Sequence, residues 1–285
     1  MEDPRPETPT SPAPAVPALP VRKKRNPRPW IRSAVQIAFF ALVAFSLLDV
    51  SLHAVCPFGG VVTLYQLFAT GDFIQKIHAS SLVLMTAVFL LAFLFGPVFC
   101  GWVCPFGTFQ EWIAMLGRKL LGKRYNRIMP KLLDRILRYF RFVLLALVVY
   151  NTAATAKLMF QEIDPYYALF NFWTGEVAIA AYVILGATVV LSLFVERPWC
   201  RYACPYGALL GLSNKIRFLK LRRVEATCTH CGACDRACPV GIPVSKRDTV
   251  TDLACNGCMK CTSEEACPVK GTVVVEPCFV RRKKS

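Results

Sequence analysis

The 285-residue sequence has few charged residues and only three histidines. Charged residues make up 18% of the chain and apolar residues 55%, against averages of about 25% and about 45–50% in soluble domains. This balance disfavours a purely soluble nucleic-acid-binding protein, although the net charge is +16. The chain also has no Ser/His/Asp set, no glycine-rich phosphate loop and no Rossmann fingerprint. We therefore expect no machinery for substrate chemistry beyond the movement of electrons.

Four apolar windows are long enough to cross a bilayer core, which needs roughly 20 residues. They are Ile31–Leu52, Ala79–Phe99, Tyr139–Ala156 and Val177–Val195. Lys and Arg are concentrated in the N-terminal segment, between Cys100 and Arg138, and after Glu196. Because positively charged loops stay in the cytoplasm, the sequence predicts a multi-pass protein of the bacterial inner (cytoplasmic) membrane with both termini in the cytoplasm.

The predicted fold class is an all-α membrane domain of four transmembrane helices with a two-fold internal repeat, plus a small α+β two-cluster ferredoxin-like domain. The N-terminal segment 1–30 is rich in proline and basic residues, and we expect it to be disordered. The predicted boundaries that follow are the helical domain at 31–212, a linker at 213–224, the ferredoxin-like domain at 225–277 and a basic tail at 278–285.

Eight of the 14 cysteines form two similar runs in the last third of the chain. Each run has three cysteines spaced by two residues, followed by a Cys-Pro pair, as in ferredoxins whose fourth cysteine crosses over to the other cluster. The spacing predicts two [4Fe–4S] clusters, one bound by Cys228, Cys231, Cys234 and Cys267 and the other by Cys255, Cys258, Cys261 and Cys238. A pair of zinc ribbons is the alternative, but it needs neither the third cysteine nor the Cys-Pro ending. One departure is that five residues, not three, precede Cys267.

Four more cysteines form a doubled Cys-x3-Cys-Pro motif. Cys100 and Cys104 follow the second apolar window, and Cys200 and Cys204 follow the fourth. Cysteines at i and i+4 share one helix face, and the proline after each pair would bend or end that helix. The two pairs could therefore aim four thiols at one point. We predict a third metal centre or redox-active dithiols, with small packing residues at helix ends as the alternative.

Other polar residues are candidates for a site on the predicted outer side. His53, Cys56 and His78 are ligands that could hold a metal or a haem, although such residues also pack or face water. A quinone head group would need a polar pocket at membrane depth. Asp49, His53, Glu162 and Asp164, near the predicted outer boundary, could take up or release protons there. Ordinary interfacial capping is the alternative for these residues.

Together the motifs resemble those of the NapH/NosR family of membrane 4Fe–4S ferredoxin-like proteins. The resemblance rests on Cys-Gly-Trp-Val-Cys-Pro-Phe-Gly at 100–107, Trp-Cys-Arg-Tyr-x-Cys-Pro-x-Gly at 199–207 and the twin-cluster segment, and it favours the short NapH-like branch. It implies an integral membrane protein that relays electrons between a quinone pool or cytoplasmic donor and a partner oxidoreductase. Such a protein works as an electron-transfer subunit of a complex rather than as a stand-alone enzyme. An assembly, maturation or redox-regulatory factor for a metalloenzyme is the alternative.

Overall fold

The structure is a computed structural model that describes residues 28–46, 79–126, 129–155, 163–172, 175 and 177–279. Within these ranges most of the chain before Phe218 is helical. The α-helices are α1 (Arg28–Ser46), α2 (Ala79–Phe95), α3 (Pro105–Leu121), α4 (Lys131–Thr155), α5 (Pro165–Phe170), α6 (Ile179–Ser192), α7 (Pro198–Tyr202), α8 (Pro205–Ile216) and α9 (Ala233–Ala237). A π-helix covers Phe99–Val103, and short 3₁₀ turns cover Gly122–Arg124, Glu225–Thr227, Val244–Lys246 and Lys260–Thr262.

Proline and glycine set the helix ends around the doubled motif. α2 stops at Phe95 because Gly96 adopts a left-handed conformation (φ 83°) and Pro97 cannot continue the hydrogen-bond ladder. α3 and α8 each begin with a proline, which is favoured in the first turn because it has no N–H to leave unpaired. Cys104 and Cys204 are therefore the N-cap residues of these two helices.

The predicted membrane-spanning helices are not found. Among the described residues, no helix combines the length and the apolar character that crossing a membrane requires. α2 and α6 have only 17 and 14 residues, against a need for roughly 20. α1 and α4 are longer, but Arg32 and Arg141 interrupt their apolar stretches. The prediction of four transmembrane helices is therefore wrong, and the observed architecture is helical with a small sheet.

The sheet has three antiparallel strands in the order β2-β1-β3. β1 (Leu219–Arg223) is central and pairs with β2 (Thr249–Val250) and β3 (Val273–Pro277). The segment 213–224, predicted as a linker, contains the end of α8 and all of β1. Leu221 lies opposite Val250 on one side and Val275 on the other. Apolar side chains on this face form a core with several of the predicted cluster cysteines.

Direct hydrogen bonds join this C-terminal part to the helices. The Phe218 N–H donates to the Phe93 carbonyl of α2 (2.9 Å), and the Asn214 side chain of α8 donates to the Cys255 carbonyl (2.8 Å). Arg217, which is 1% exposed, donates to the Val250 carbonyl of β2 (2.5 Å). Because the Asn214 and Arg217 side chains are buried, breaking the contact would leave a polar and a charged group without partners. The two parts therefore share one fixed interface.

Candidate functional site

The structure brings the cysteines of each predicted cluster to a separate cavity. The first cavity contains about 320 Å³ of empty space and has Cys228, Cys231, Cys234 and Cys267 in its wall. The second cavity, of similar size, has Cys238, Cys255, Cys258 and Cys261 in its wall. In each case three cysteines come from one run and the fourth from the other run. The structure thus places the cysteines of each predicted set in the wall of one cavity.

The middle cysteine of each run lies between two residues in the left-handed conformation. Cys231 stands between His230 (φ 51°) and Gly232 (φ 64°), and Cys258 stands between Gly257 (φ 62°) and Met259 (φ 56°). Such reversals turn successive backbone N–H groups and side chains toward one side of a loop. The two runs thus share a local backbone geometry, although only one of the two flanking positions in each run is glycine.

The second cavity is the more buried of the two. Its wall also contains Pro239, Ile242 and Val250, which are apolar. Burial, followed by the charge of Cys258, raises the pKa of Cys238 to about 12. Burial likewise raises the pKa of Cys261, again with Cys258 as the next cause. Without a positive centre these thiols stay protonated, and bound iron would deprotonate them.

The first cavity opens closer to solvent. Cys231 is exposed, and the Ala233 N–H, followed by the Thr229 side chain, lowers the pKa of its thiol. Cys234 is buried, and burial followed by the charge of Asp235 raises the pKa of its thiol to about 11. Four sulfurs around one cavity are the donor set of a [4Fe–4S] cluster, so the residues present fit that group in both places.

The four cysteines of the doubled motif also lie near one another. Cys100 is in the π-helix, Cys200 is in α7, and Cys104 and Cys204 cap α3 and α8. Burial raises the pKa of Cys104 to about 12, with the charge of Cys200 as the next cause. Burial also raises the pKa of Cys204, followed by the charges of Cys200 and Cys100. We call these four residues the paired-motif cysteines.

A buried network of charges lies beside the paired-motif cysteines. Glu111 of α3 accepts hydrogen bonds from Arg32 (2.6 Å) and Arg197 (2.7 Å), and Lys260 lies 2.7 Å from its other oxygen. Burial alone would raise the pKa of Glu111, but the charges of Arg197, Arg32 and Lys260 outweigh it and hold the pKa well below its usual value. Lys260 also pairs with Glu196 (3.0 Å). The network links α1, α3 and the loop that carries Cys258 and Cys261.

Sequence reasoning missed this network. Glu111 and Lys260 are ordinary polar residues in the sequence, and their partners are far away along the chain. One signal of these charges was available in the sequence. Lys260 stands between the predicted ligands Cys258 and Cys261, and Glu196 lies four residues before Cys200, the spacing of one helical turn.

The structure does not describe the residues of the predicted outer site. His53, Cys56 and His78 are outside the described residues. Within the described ranges, no group of three or more His, Cys, Asp and Glu side chains is arranged to hold a single metal ion.

Two protein-family models match the chain. One, described as a 4Fe-4S binding domain, matches residues 77–124 and again 177–223, so each match contains one half of the doubled motif. The other, described as a 4Fe-4S dicluster domain, matches residues 220–273, which include the cysteines of both cavities. The chain therefore contains 4Fe–4S cluster-binding domains, and the prediction of iron–sulfur rather than zinc domains is confirmed.

Curated relatives point in the same direction. YccM of Escherichia coli strain K12, which is named as an electron transport protein, is 33% identical over 223 residues, covering 76% of this chain and 61% of YccM. MJ0749 of Methanocaldococcus jannaschii is 30% identical over 203 residues, covering 71% of this chain and 73% of that protein. The ferredoxin-type protein NapH of Haemophilus influenzae is 28% identical over 169 residues, covering 59% of this chain and 54% of NapH. No solved structure gives a significant match.

These matches establish the class of protein as one built from 4Fe–4S domains of the ferredoxin type. The chain belongs to the family that includes NapH and the regulatory protein NosR, as the cysteine motifs predicted.

Proposed function

We propose that the chain is an electron-transfer subunit that relays electrons through two [4Fe–4S] clusters to a partner oxidoreductase. The observation that carries the proposal is the pair of cavities, each with four cysteines drawn from both runs. Each bound cluster would supply one-electron oxidation and reduction. Cys228, Cys231, Cys234 and Cys267 would hold the first cluster, and Cys255, Cys258, Cys261 and Cys238 the second.

The packing between the cavities supports a relay. Cys234 of the first cavity and Cys255 and Cys261 of the second belong to one buried apolar core. The charge of Cys234 also contributes to the raised pKa of Cys261. Two redox groups whose ligands share one packed core would be close together, which favours electron transfer between them.

The cavities differ in a way that suggests separate roles. The first has the exposed Cys231 at its rim, so a donor protein could approach it. The second is covered by the helical part through Asn214 and Arg217. We propose that electrons are exchanged with soluble partners at the first cavity and pass inward to the second.

Metal analysis of the full chain, purified without air, tests the proposal. We expect at least about eight irons and eight acid-labile sulfides per chain from two clusters. Cys258→Ala should lose about four of those irons. Cys278→Ala is the matched control, because Cys278 is free, exposed and in neither cavity wall, and it should lose none. Zinc in place of iron, or unchanged iron in Cys258→Ala, would overturn the proposal.

A role in metalloenzyme assembly or redox regulation is the second candidate function. The observation that favours it is the group of four neighbouring paired-motif cysteines, which could handle a metal as well as electrons. Deleting the gene separates the two roles. A partner oxidoreductase that is made without its metal indicates assembly, and a metal-replete partner that receives no electrons indicates relay.

The quinone partner and the location at the bacterial cytoplasmic membrane stay predictions, which quinol oxidation assays and cell fractionation would test.

A further inference from the structure

Arg217 places a buried positive charge next to the second cavity. Its side chain is 1% exposed and donates to the carbonyl of Val250 (2.5 Å), a residue in the wall of that cavity. Burial raises the pKa of the Cys255 thiol in the same wall, and the charge of Arg217, together with a side-chain hydrogen bond from it, opposes the rise. The guanidinium therefore interacts directly with a predicted cluster ligand.

The charge of Arg217 has no counter-ion within the described ranges. None of the ion pairs found there includes Arg217, and its Nε has no hydrogen-bond partner among the described residues. The cations Arg197 and Lys260, by contrast, share the carboxylate of Glu111. An unpaired buried charge is costly, and four thiolates would give a cluster in the second cavity the negative charge that Arg217 lacks as a partner.

The helical part fixes the position of this cation. A Cβ atom added at Gly96 (φ 83°) would lie 3.0 Å from Arg217 Cδ and 3.1 Å from Asn214 Oδ1, so glycine allows the approach. Asn214 is fully buried and donates to the Cys255 carbonyl (2.8 Å). Arg217 and Cys255 are thus held against each other by residues that are not themselves ligands.

A negative charge lies beside a ligand of the first cavity. Asp235 Oδ1 is 3.6 Å from the Cys234 sulfur. The Ser245 N–H (2.7 Å) and hydroxyl (2.5 Å) donate to the Asp235 carboxylate and fix it. Arg223, the cation in the wall of this cavity, pairs with Asp248 (3.0 Å), so its charge is compensated. The two cavities therefore differ in the sign of the fixed charge next to a ligand.

These charges act on the two reduction potentials in opposite directions. Reduction adds negative charge to a cluster, so a nearby cation raises its potential and a nearby carboxylate lowers it. Burial alone would make a cluster in the second cavity the harder of the two to reduce, because water stabilises added charge. The same dry surroundings strengthen the attraction between that charge and Arg217, while Asp235 disfavours reduction on the other side.

We propose that Arg217 and Asp235 set the order of the two reduction potentials, so that the second-cavity cluster accepts electrons from the first. The inference rests on the proposed function, because it gives that relay its direction. One electron passes from the first-cavity cluster, which is oxidised, to the second-cavity cluster, which is reduced. No bond forms or breaks, no proton is released, and the soluble donor of the proposed function supplies the electron. Arg217 and Asp235 are positioning residues, since they act through the ligands Cys255 and Cys234.

Reduction of the full chain by one electron, without air, tests this order by electron paramagnetic resonance. Cys231→Ser replaces an exposed ligand with oxygen, alters the signal of the first cluster alone and so assigns the two signals. In the wild type we expect at least about a tenfold preference of the electron for the second cluster, equivalent to about 59 mV for a one-electron couple. An electron found mainly in the first cluster of the wild type would overturn the inference.

Arg217→Gln tests the cation. The variant should lower the preference for the second cluster at least about tenfold, because an uncompensated buried charge is lost. Arg217→Lys is the matched control, since it keeps the positive charge and should stay within about threefold of the wild type. A preference in Arg217→Gln equal to that of the wild type, at equal iron content, would remove Arg217 from the proposal.

Asp235→Asn tests the carboxylate and does not depend on whether Arg217→Gln folds. The amide keeps an oxygen that can accept from Ser245, and loss of the negative charge should raise the potential of the first cluster and lower the preference about threefold. Glu265→Gln, which removes an exposed carboxylate, should leave the preference unchanged. An unchanged preference in Asp235→Asn would contradict the role of Asp235. In each of these failures both clusters are still present, whereas a wild-type chain with far fewer than about eight irons would overturn the two-cluster relay itself.

Discussion

Lys260 lies between the predicted cluster ligands Cys258 and Cys261, and its Nζ is 2.7 Å from a carboxylate oxygen of Glu111 on helix α3. The pair joins the cysteine-rich C-terminal part to the helical part at a buried position. Arg32 and Arg197 bind the same carboxylate, so one negative charge holds three cations from three separate segments. A charge so placed is costly to remove, because its buried partners would be left uncompensated.

Glu111→Gln should therefore destabilise the protein strongly. We expect a loss of about 3–5 kcal/mol in the free energy of unfolding, the range found when one partner of a buried ion pair is removed. Denaturant unfolding of the full chain without air would measure it. Glu264→Gln is the control, because Glu264 pairs with the exposed Lys270 (3.3 Å), and its substitution should cost about 0–1 kcal/mol. Equal losses in the two variants would contradict the role given to Glu111.

Gly117 marks a second point at which the helices are closely packed. A Cβ at this position of α3 would collide with the Leu193 carbonyl oxygen and the Tyr125 ring. Gly117→Ala should therefore cost about 1–3 kcal/mol, as overpacking of a tight contact does. Gly186→Ala, in the middle of α6 with open space around it, should instead be neutral or stabilise by up to about 1 kcal/mol. Thermal unfolding of both variants would show whether their effects have these opposite signs.

Arg197 provides a prediction about redox potential. Its buried positive charge stabilises added electrons on nearby groups, so Arg197→Gln should lower the reduction potential of the second-cavity cluster by an amount on the order of tens of millivolts. A potentiometric titration followed by electron paramagnetic resonance would measure the shift. Lys119→Gln removes an exposed charge on α3 and should leave the potential unchanged. If both variants keep the wild-type potential, Arg197 has only a packing role.

The cysteine sites were more predictable from the sequence than the fold around them. Spacing within each run determines which sulfurs can meet, so Cys238 and Cys267 could be assigned to opposite cavities without a structure. The apolar windows were misleading because counting apolar residues does not show where a helix ends, and Gly96 with Pro97 ends α2 early. The charge network around Glu111 could not be predicted from the sequence either. Arg32 and Arg197 lie 79 and 86 residues from Glu111, and no local pattern pairs residues over such separations.

Asp164 should make the stability of the protein depend on pH. It caps helix α5 by accepting the Tyr166 N–H (3.0 Å), and burial raises its pKa from 3.8 to about 7, against the opposing effect of that hydrogen bond. Between these two values the folded chain keeps a proton that the unfolded chain has released. The contribution of Asp164 to stability is therefore complete below pH 3.8 and declines until the pH reaches about 7.

Asp164→Asn removes this titration but keeps an oxygen that can cap the helix. Relative to the wild type, the variant should gain stability as the pH rises from 4 to 7, by up to about 1.4 kcal/mol per pH unit, and show no further change above that range. Unfolding curves for both proteins across this pH range would measure the difference. A constant difference would mean that the pKa of Asp164 is the same in the folded and the unfolded chain, so that an ionised carboxylate accepts the Tyr166 N–H across this pH range.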